Sequence, residues 1–121
     1  MIEIKIPEDK TITEKLYKDY GITQKGDSVI AKSAEDMLGF CLFTVGENEV
    51  TIHELEPKDD ALMADGILRS ALHVASERFA FKAYYDNEKL EDIITKLGFL
   101  KEKETKQIDI DKLFRGCHKG E

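Results

Sequence analysis

The chain has 121 residues, of which 41% are hydrophobic and 36% charged, so it fits one domain with a single core under a charged surface. Its formal net charge of −7 disfavours nucleic-acid binding, which needs clustered lysines and arginines. No run reaches the about 18 apolar residues of a transmembrane helix, and the N-terminus lacks the apolar stretch of a signal peptide. Cys41 and Cys117 lack the spacing of a zinc or redox site. We expect a cytoplasmic protein with free thiols and no metal, membrane or nucleic-acid partner.

The first elements along the chain are a short strand and a short helix. Isoleucines alternate with polar residues over residues 2–6, which predicts a half-buried strand that ends at Pro7. The following helix begins after Thr11 or Thr13, either of which can cap it, and Gly21 ends it.

Three strands are expected next, in hairpin succession. Residues 28–32 form the first, and the nearly continuous apolar run over residues 38–45 predicts a strand that is buried on both faces. Residues 46–49 make a hairpin turn, and residues 50–55 form the returning strand, which Pro57 ends.

The clearest periodicity in the chain predicts a long helix from about Asp59 to Arg78, capped by Asp59 or Asp60. At 1.5 Å per residue this helix is about 30 Å long, enough to cross a small sheet. Its apolar stripe consists of Ala61, Leu62, Ala64, Leu68, Ala71, Leu72, Ala75 and Phe79.

The last third of the chain continues the alternation of strands and helices. Residues 81–85 read as a strand, Asn87 caps a second amphipathic helix and Gly98 ends it, and strands follow from Phe99 and over residues 107–110. A short turn of helix is expected in the tail. This order predicts one α/β (α+β) domain over residues 1–121, with a mixed, mostly antiparallel central sheet and helices on both faces.

The segment from Asn87 to Phe99 resembles the helix after the fifth strand in the GNAT superfamily of acyltransferases. It has the asparagine, the apolar residues at helical spacing and the Lys-Leu-Gly-Phe ending of that helix, and the order of elements is also similar to the GNAT fold. The resemblance implies acetyl-CoA as co-substrate, lying between the fourth and fifth strands with its acyl oxygen bound by backbone near Leu55. It also places Asn87 among the cofactor-binding residues.

The pyrophosphate-binding loop of the family departs from its pattern here. The family has Gln/Arg-x-x-Gly-x-Gly/Ala, but Asp60, Met63 and Asp65 stand at the three defining positions, and Gly66 comes one residue late. In one interpretation Asp60 simply caps a regular helix, in which Gly66 allows close packing. In the other, the helix N-terminus still receives a phosphate, with Ala64, Asp65 and Gly66 as the cofactor-binding residues. The local acids disfavour the second interpretation because they repel phosphate.

Acyl transfer to an amine needs a base that deprotonates the ammonium. The resemblance implies a glutamate on or near the fourth strand, where Glu54 and Glu56 lie. Glu54 is the candidate catalytic base, because strand alternation puts it on the face of Val50 and Ile52, where partial burial raises the pKa of a carboxyl group. A solvated strand-end carboxylate is the alternative. His53 faces the opposite side and is interpreted as structural.

The leaving thiolate also needs a proton donor. The family's tyrosine falls at Ile94 here, so that role cannot be transferred. Tyr84 is the candidate catalytic substitute, with Tyr85 on the other face of the strand; an ordinary packing role is the alternative for both. The dipeptide Cys117-His118 suggests a nucleophile, but its position among polar tail residues disfavours that role.

Seven acids and a single base, Lys58, lie between Glu47 and Asp65. Such a stretch attracts a cationic amine if it borders a cleft, and otherwise forms a solvated acidic face. The leading hypothesis is an acetyl-CoA-dependent N-acetyltransferase acting on a small-molecule or protein amine. The alternative is a non-catalytic GNAT-like domain that binds a ligand or a protein, including a second copy in a homodimer. A third is an unrelated α+β domain with the same element order.

Overall fold

The computed structural model describes residues 1–115, which form one seven-stranded sheet with helices on both faces. The tail dipeptide Cys117-His118 lies outside the described residues. The strands are β1 (Ile2–Lys5), β2 (Asp27–Ser33), β3 (Asp36–Val45), β4 (Glu49–Glu56), β5 (Lys82–Tyr85), β6 (Leu100–Glu102) and β7 (Gln107–Ile108). The helices are α1 (Lys10–Asp19), α2 (Ala61–Glu77), α3 (Glu91–Lys96) and α4 (Asp111–Arg115), with a 3₁₀ turn at Glu88–Leu90.

The order of strands in the sheet is β1-β2-β3-β4-β5-β7-β6. Only β4 and β5 pair in parallel, and all other neighbours are antiparallel. The predicted mixed, mostly antiparallel sheet is therefore confirmed. The sequence did not predict that β7 inserts between β5 and β6, because this pairing depends on the return of the chain rather than on local pattern.

The two faces of the sheet are covered unequally. On one face α1 packs through Leu16 and Tyr17 over a small apolar cluster. On the other face α2, α3 and α4 cover the main core, to which α2 contributes a buried stripe. The fully buried members of that stripe are Ala64, Ile67, Leu68, Ala71, Leu72 and Ala75. No helix within residues 1–115 is both long and apolar enough to cross a membrane.

Short polar side chains cap the helices, as expected, but the residue that caps α1 is not the predicted one. Asp9, and neither Thr11 nor Thr13, caps α1, since its carboxylate accepts the Thr11 N–H at 2.9 Å. Asp60 caps α2, as predicted. Gly66 lies inside α2, where an added Cβ would come within 3.3 Å of Ile4 Cδ1 on β1, a tight contact that is consistent with the close-packing interpretation of this glycine.

Gly39 on β3 fixes the position of the end of β4. A Cβ at this residue would lie 2.7 Å from Ile67 Cδ1, 2.8 Å from Pro57 Cδ and closer still to the Glu56 carbonyl oxygen. Real Cβ atoms do not approach backbone that closely. The absence of a side chain here lets the β4–α2 connection lie directly on β3, and this connection carries several residues of the candidate site.

Candidate functional site

Strands β4 and β5 separate after Ile52, which leaves one side of β4 open. The last pair in register is Ile52 with Tyr85, followed by a hydrogen bond from Asp86 N–H to the Ile52 oxygen at 3.2 Å. Further along, the side-chain Nδ2 of Asn87 bridges the gap and donates to the His53 carbonyl oxygen at 3.3 Å. The second half of β4 therefore pairs with β3 alone and presents backbone to the gap.

A β-bulge lies on β4 at the point of separation. Leu42 of β3 pairs with Glu54, but the next residue, Phe43, pairs with Ile52, so His53 is an extra residue on β4. A bulge of this kind bends its strand and increases the local twist. It accounts for the departure of β4 from β5 immediately beyond Ile52.

The bulge also reverses the alternation of side chains, and it corrects one sequence-based expectation. Leu55, and not Glu54, shares the α2-covered core with Val50 and Ile52. Glu54 lies opposite Leu42, which belongs to the cluster under α1. The prediction that Glu54 faces the same side as Val50 and Ile52 is wrong, because strict alternation of period two does not hold across a bulge.

Glu54 is nevertheless buried, with 9% of its side chain exposed, so the alternative of a solvated carboxylate is wrong. Its Oε1 accepts the Leu55 N–H at 3.1 Å and the Lys58 ammonium at 2.6 Å. Its Oε2 accepts a hydrogen bond from Asn87 Nδ2 at 3.3 Å. Both oxygens are therefore satisfied by donors from the two sides of the gap, which explains how a carboxylate is kept at low exposure.

Lys58 joins two carboxylates at the end of β4. Its Nζ lies 2.6 Å from Glu54 Oε1 and 2.7 Å from Glu56 Oε2, and 30% of its side chain is exposed. Burial lowers the pKa of Lys58, but its hydrogen bonds to Glu54 and Glu56 and the charges of both outweigh this, so the pKa lies above its ordinary value. Lys58 is thus an ammonium ion at neutral pH. The one feature of the sequence that indicated such a pairing is that Lys58 is the single base among the acids between Glu47 and Asp65.

The N-terminus of α2 is closed by the side chain of the chain's own Asp60. Asp60 Oδ1 accepts the Met63 N–H at 3.1 Å, and the Asp60 carbonyl oxygen accepts the Ala64 N–H at 2.9 Å. Within residues 1–115 the backbone amides of Ala61 and Leu62 have no hydrogen-bond partner. A negative carboxylate therefore stands where a bound anion would meet the helix dipole.

The three residues proposed for phosphate contact lie along this helix. Ala64, Asp65 and Gly66 are all inside α2, so their amides follow the hydrogen-bond pattern of the helix. Asp65 pairs with Arg69 Nε at 2.8 Å, one turn later. Their backbone amides therefore point along the helix that begins at Ala61, and their assignment to cofactor binding stays a prediction.

The candidate tyrosines do not meet Glu54. Tyr84 is in register with Thr51, three residues before Glu54, or about 10 Å along the strand. Tyr85 belongs to the main core; burial first, and then the charge of Glu91, raises the pKa of its phenol. Ile94, at the family's tyrosine position, is fully buried.

Sequence reasoning missed Tyr20, the residue that ends α1. Its ring packs edge-on against Phe40, with ring centroids 5.2 Å apart, and 43% of the residue is exposed. Burial, followed by the negative charges of Glu56 and Glu54, raises the pKa of Tyr20. This phenol therefore lies within the electrostatic field of the two carboxylates. No local pattern indicated it, since the ring contact joins α1 to Phe40 on β3, which pairs with Glu56 at the end of β4.

His53, Thr44 and Asp86 form a second polar group on the α1 face. His53 Nδ1 lies 2.8 Å from Asp86 Oδ2, and Nε2 lies 2.7 Å from Thr44 Oγ1. Only 3% of the His53 side chain is exposed, and its ring meets Tyr17 edge-on. The structural interpretation of His53 is consistent with these contacts. Among residues 1–115 no cluster of His, Cys, Asp and Glu could hold a metal ion.

Two cavities open on the α1 face beside these groups. One, of about 450 Å³, is lined by His53, Asp86 and Asn87 together with residues 21–24 and 88–89. The other, of about 700 Å³, lies along α1 and includes Tyr17. Ile22 and Gln24 line both. Together they provide room for a substrate next to the gap between β4 and β5.

Comparison with solved structures places this arrangement in a known fold. A GNAT-family protein from Desulfovibrio desulfuricans, assigned as an acetyltransferase, superposes with a TM-score of 0.55 and 9% identity over 76% of this chain and 78% of its own. A GNAT-family acetyltransferase from Streptococcus pneumoniae gives a TM-score of 0.55 and 17% identity over 82% and 87%. The chain has the GNAT fold. No protein-family model and no curated protein sequence matches it.

The end of β4 and the start of α2 differ in how far they follow what the resemblance implies. The bulge, the gap and the Leu55 amide lie where the resemblance implies that the acyl group is bound. The phosphate end is altered, because Asp60 occupies the amide of Met63 and no glycine loop precedes α2. Asn87 lies at the gap, but as a donor to Glu54 and as the cap of the 3₁₀ turn.

Proposed function

We propose that this chain is a divergent N-acetyltransferase that transfers an acetyl group from a thioester to a small-molecule or protein amine. One observation supports the proposal above the others. A buried glutamate at the β4 bulge contacts both a backbone N–H, from Leu55, and an ammonium ion, from Lys58. Acyl transfer to nitrogen needs an N–H group that stabilises the developing oxyanion and a carboxylate that takes a proton from an ammonium, and this group of residues supplies both.

In the proposed reaction the Leu55 N–H binds the acyl oxygen and stabilises the charge that develops on it. Glu54 must then rotate off this amide when the acyl group binds. It accepts the proton of the incoming ammonium, and the cavities on the α1 face hold the acceptor. The thiolate leaves as the C–S bond breaks and takes up the second proton of the attacking nitrogen.

Acetyl-CoA is the proposed acyl donor, held through its acyl end rather than its pyrophosphate. The Leu55 amide suits the acyl oxygen, whereas the carboxylate of Asp60 and the neighbouring Asp59 repel a phosphate at the start of α2. We therefore expect weak binding, in which the nucleotide part contributes little. Cytoplasmic localisation remains a prediction from the sequence.

Calorimetry with acetyl-CoA and with S-acetyl-N-acetylcysteamine, a thioester without nucleotide, tests this donor assignment. Similar affinities for both are expected. Asp60→Ser keeps a capping side chain and removes the charge, so acetyl-CoA should bind about fivefold more tightly, the equivalent of roughly 1 kcal/mol. Tight, nucleotide-dependent binding by the unaltered chain would contradict the assignment.

Turnover of an added amine tests the role of Glu54. Glu54→Gln should lower the rate about a hundredfold or more, as expected for the loss of a general base, with donor affinity nearly unchanged. Glu49→Gln, an exposed change on the same strand, is the matched control and should leave the rate unaltered. An undiminished rate in Glu54→Gln would remove Glu54 from the reaction.

A second candidate function is a non-catalytic binding module, including one that pairs with a second copy. It is supported by the internal satisfaction of the site: Glu54 accepts the Leu55 amide, and Asp60 accepts the Met63 amide. Absence of donor binding at low salt, combined with no turnover of any amine, would favour this function over the first.

A further inference from the structure

The Lys58 ammonium lies beside the Leu55 amide that the proposed function assigns to the acyl oxygen. Its Nζ lies 2.6 Å from Glu54 Oε1, and the same oxygen accepts the Leu55 N–H. Glu54 Oε1 is an sp² oxygen that is hydrogen-bonded to the Leu55 amide. Its position therefore marks where the carbonyl oxygen of a bound thioester would lie. Because a carbonyl carbon lies about 1.2 Å from its oxygen, a carbonyl group in this place would put its carbon within about 3.8 Å of Nζ. Near-attack distances are about 3–3.5 Å, so only a small adjustment is needed.

A second carboxylate remains on Lys58 when the acyl group displaces Glu54. Glu56 Oε2 lies 2.7 Å from Nζ, and about a third of each side chain is exposed. This exposure lets Glu56 pass a proton to solvent. A base is required here, because the two glutamates keep the pKa of Lys58 above its ordinary value and its nitrogen protonated.

From this geometry we propose that Lys58 is a site of self-acylation, in which the chain transfers an acyl group from a bound thioester to its own Nζ. The ammonium gives one proton to Glu56 and from there to solvent. The neutral nitrogen attacks the carbonyl carbon; the new N–C bond forms and the C–S bond breaks. The second proton leaves the nitrogen for the departing thiolate, so the products are an amide on Lys58 and a free thiol.

The inference rests on the proposed function in one respect, the use of the Leu55 amide for the acyl oxygen. It adds that the reaction occurs once per chain and alters the site. An acylated Lys58 has no charge, so it no longer holds Glu54 and Glu56. Glu54 would then lose its ion pair with Lys58. The net charge of the site would therefore change before any external amine reacts.

The test is to incubate the whole chain with S-acetyl-N-acetylcysteamine and to follow acetylation of each lysine by peptide mass spectrometry. We expect Lys58 to gain one acetyl group at least tenfold faster than Lys89, which lies at the rim of the neighbouring cavity and reports background reaction. In urea the preference should vanish. Glu56→Gln should slow Lys58 about tenfold or more and leave Lys89 unchanged. Circular dichroism checks that the variant is folded.

The same samples separate this inference from the proposed function. Thiol release beyond one equivalent, in the presence of an added amine, reports transfer to external acceptors. Acetylation of Lys58 without such release supports self-acylation and contradicts the proposed function. Thiol release beyond one equivalent without preferential acetylation of Lys58 supports the proposed function and contradicts self-acylation. A rate at Lys58 equal to that at Lys89, or unchanged by urea, overturns the inference.

Discussion

Lys58 Nζ and Glu54 Oε1 form a 2.6 Å ion pair in which the carboxylate is nearly buried and the ammonium is about one-third exposed. The two residues are four positions apart and lie on either side of Pro57, so the pair ties the last residues of β4 to the connection that leads into α2. A carboxylate at such low exposure depends on its donors, and Lys58 supplies the only charged one among the residues described.

Removal of the Lys58 charge should destabilise the fold through Glu54. Lys58→Met leaves a buried carboxylate with two neutral donors, and the free energy of unfolding should fall by about 1–2 kcal/mol, discounted for the partial exposure of the pair. Urea denaturation measures the change. Adding Glu54→Gln to Lys58→Met should restore part of the loss. Lys15→Met, which breaks an exposed pair with Asp19, is the control and should cost under about 0.5 kcal/mol. Equal losses in the two lysine variants would contradict this account.

The same pair should give an alkaline dependence of stability. The pKa of Lys58 is raised by folding, so its contribution is fully present below its ordinary value of 10.5 and disappears as pH rises through the folded-state value. The difference in stability between the unaltered chain and Lys58→Met should therefore be constant from neutral pH to about 10 and shrink above it. A difference that grows with alkaline pH would show that another group is responsible.

Gly39 should not tolerate even a methyl group. In Gly39→Ala the new Cβ meets the Glu56 carbonyl, Ile67 and Pro57, so the end of β4 and α2 must move away from β3, at a cost of about 1–3 kcal/mol. Gly46→Ala is the matched control, since its nearest neighbour would be the Glu49 oxygen at 3.9 Å. Thermal unfolding of both variants decides the matter, and similar melting temperatures would mean that the β4–α2 connection yields easily.

His53 should carry a proton on Nδ1 at neutral pH. The Asp86 carboxylate 2.8 Å away can only accept a hydrogen bond, so the nitrogen must donate. Nitrogen-detected NMR of the imidazole ring identifies the protonated position. Asp86→Ala should release this constraint and cost about 1–2 kcal/mol of stability, whereas Asp19→Ala, on the exposed side of α1, should not affect the ring. An unprotonated Nδ1 in the unaltered chain would contradict the assigned bond.

Cys41 should be inert in the folded protein. The residue is fully buried, and burial first, and then the charge of Glu54, raises the pKa of its thiol. In a Cys117→Ser background, where Cys41 is the only thiol, labelling by iodoacetamide should occur only through unfolding and accelerate with urea. Stoichiometric labelling within minutes and without denaturant would mean that the main core opens readily.

The fold was predictable because its signals are local. Apolar periodicity placed α2, and capping residues such as Asp60 and Asn87 fixed helix starts to within a residue or two. Those features depend on neighbours a few positions away.

The candidate site was less predictable because it depends on partners distant in the chain. The orientation of Glu54 follows from the β3–β4 register, which no single-strand pattern contains. The pairing of His53 with Asp86 joins residues 33 positions apart, and the field of Glu54 at Tyr20 joins the end of β4 to α1. The assignment of Ala64, Asp65 and Gly66 to cofactor binding stays a prediction, and all three lie inside α2 as the helical pattern of the sequence indicated.

Because His53 is an extra residue on β4, the orientation of Glu54 depends on the number of residues between it and Ile52. If the same residues paired with β3 without a bulge, Glu54 would face the side of Val50 and Ile52 and Leu55 would face away from them, whereas deletion of His53 would leave both orientations as they are. An alignment of this chain with a GNAT-fold sequence that lacks the bulge would therefore equate Glu54 with a residue on the opposite face unless it placed a gap at His53. Homologous carboxylates are to be matched through the strand register, and the length of β4 is as informative as the identity of its residues.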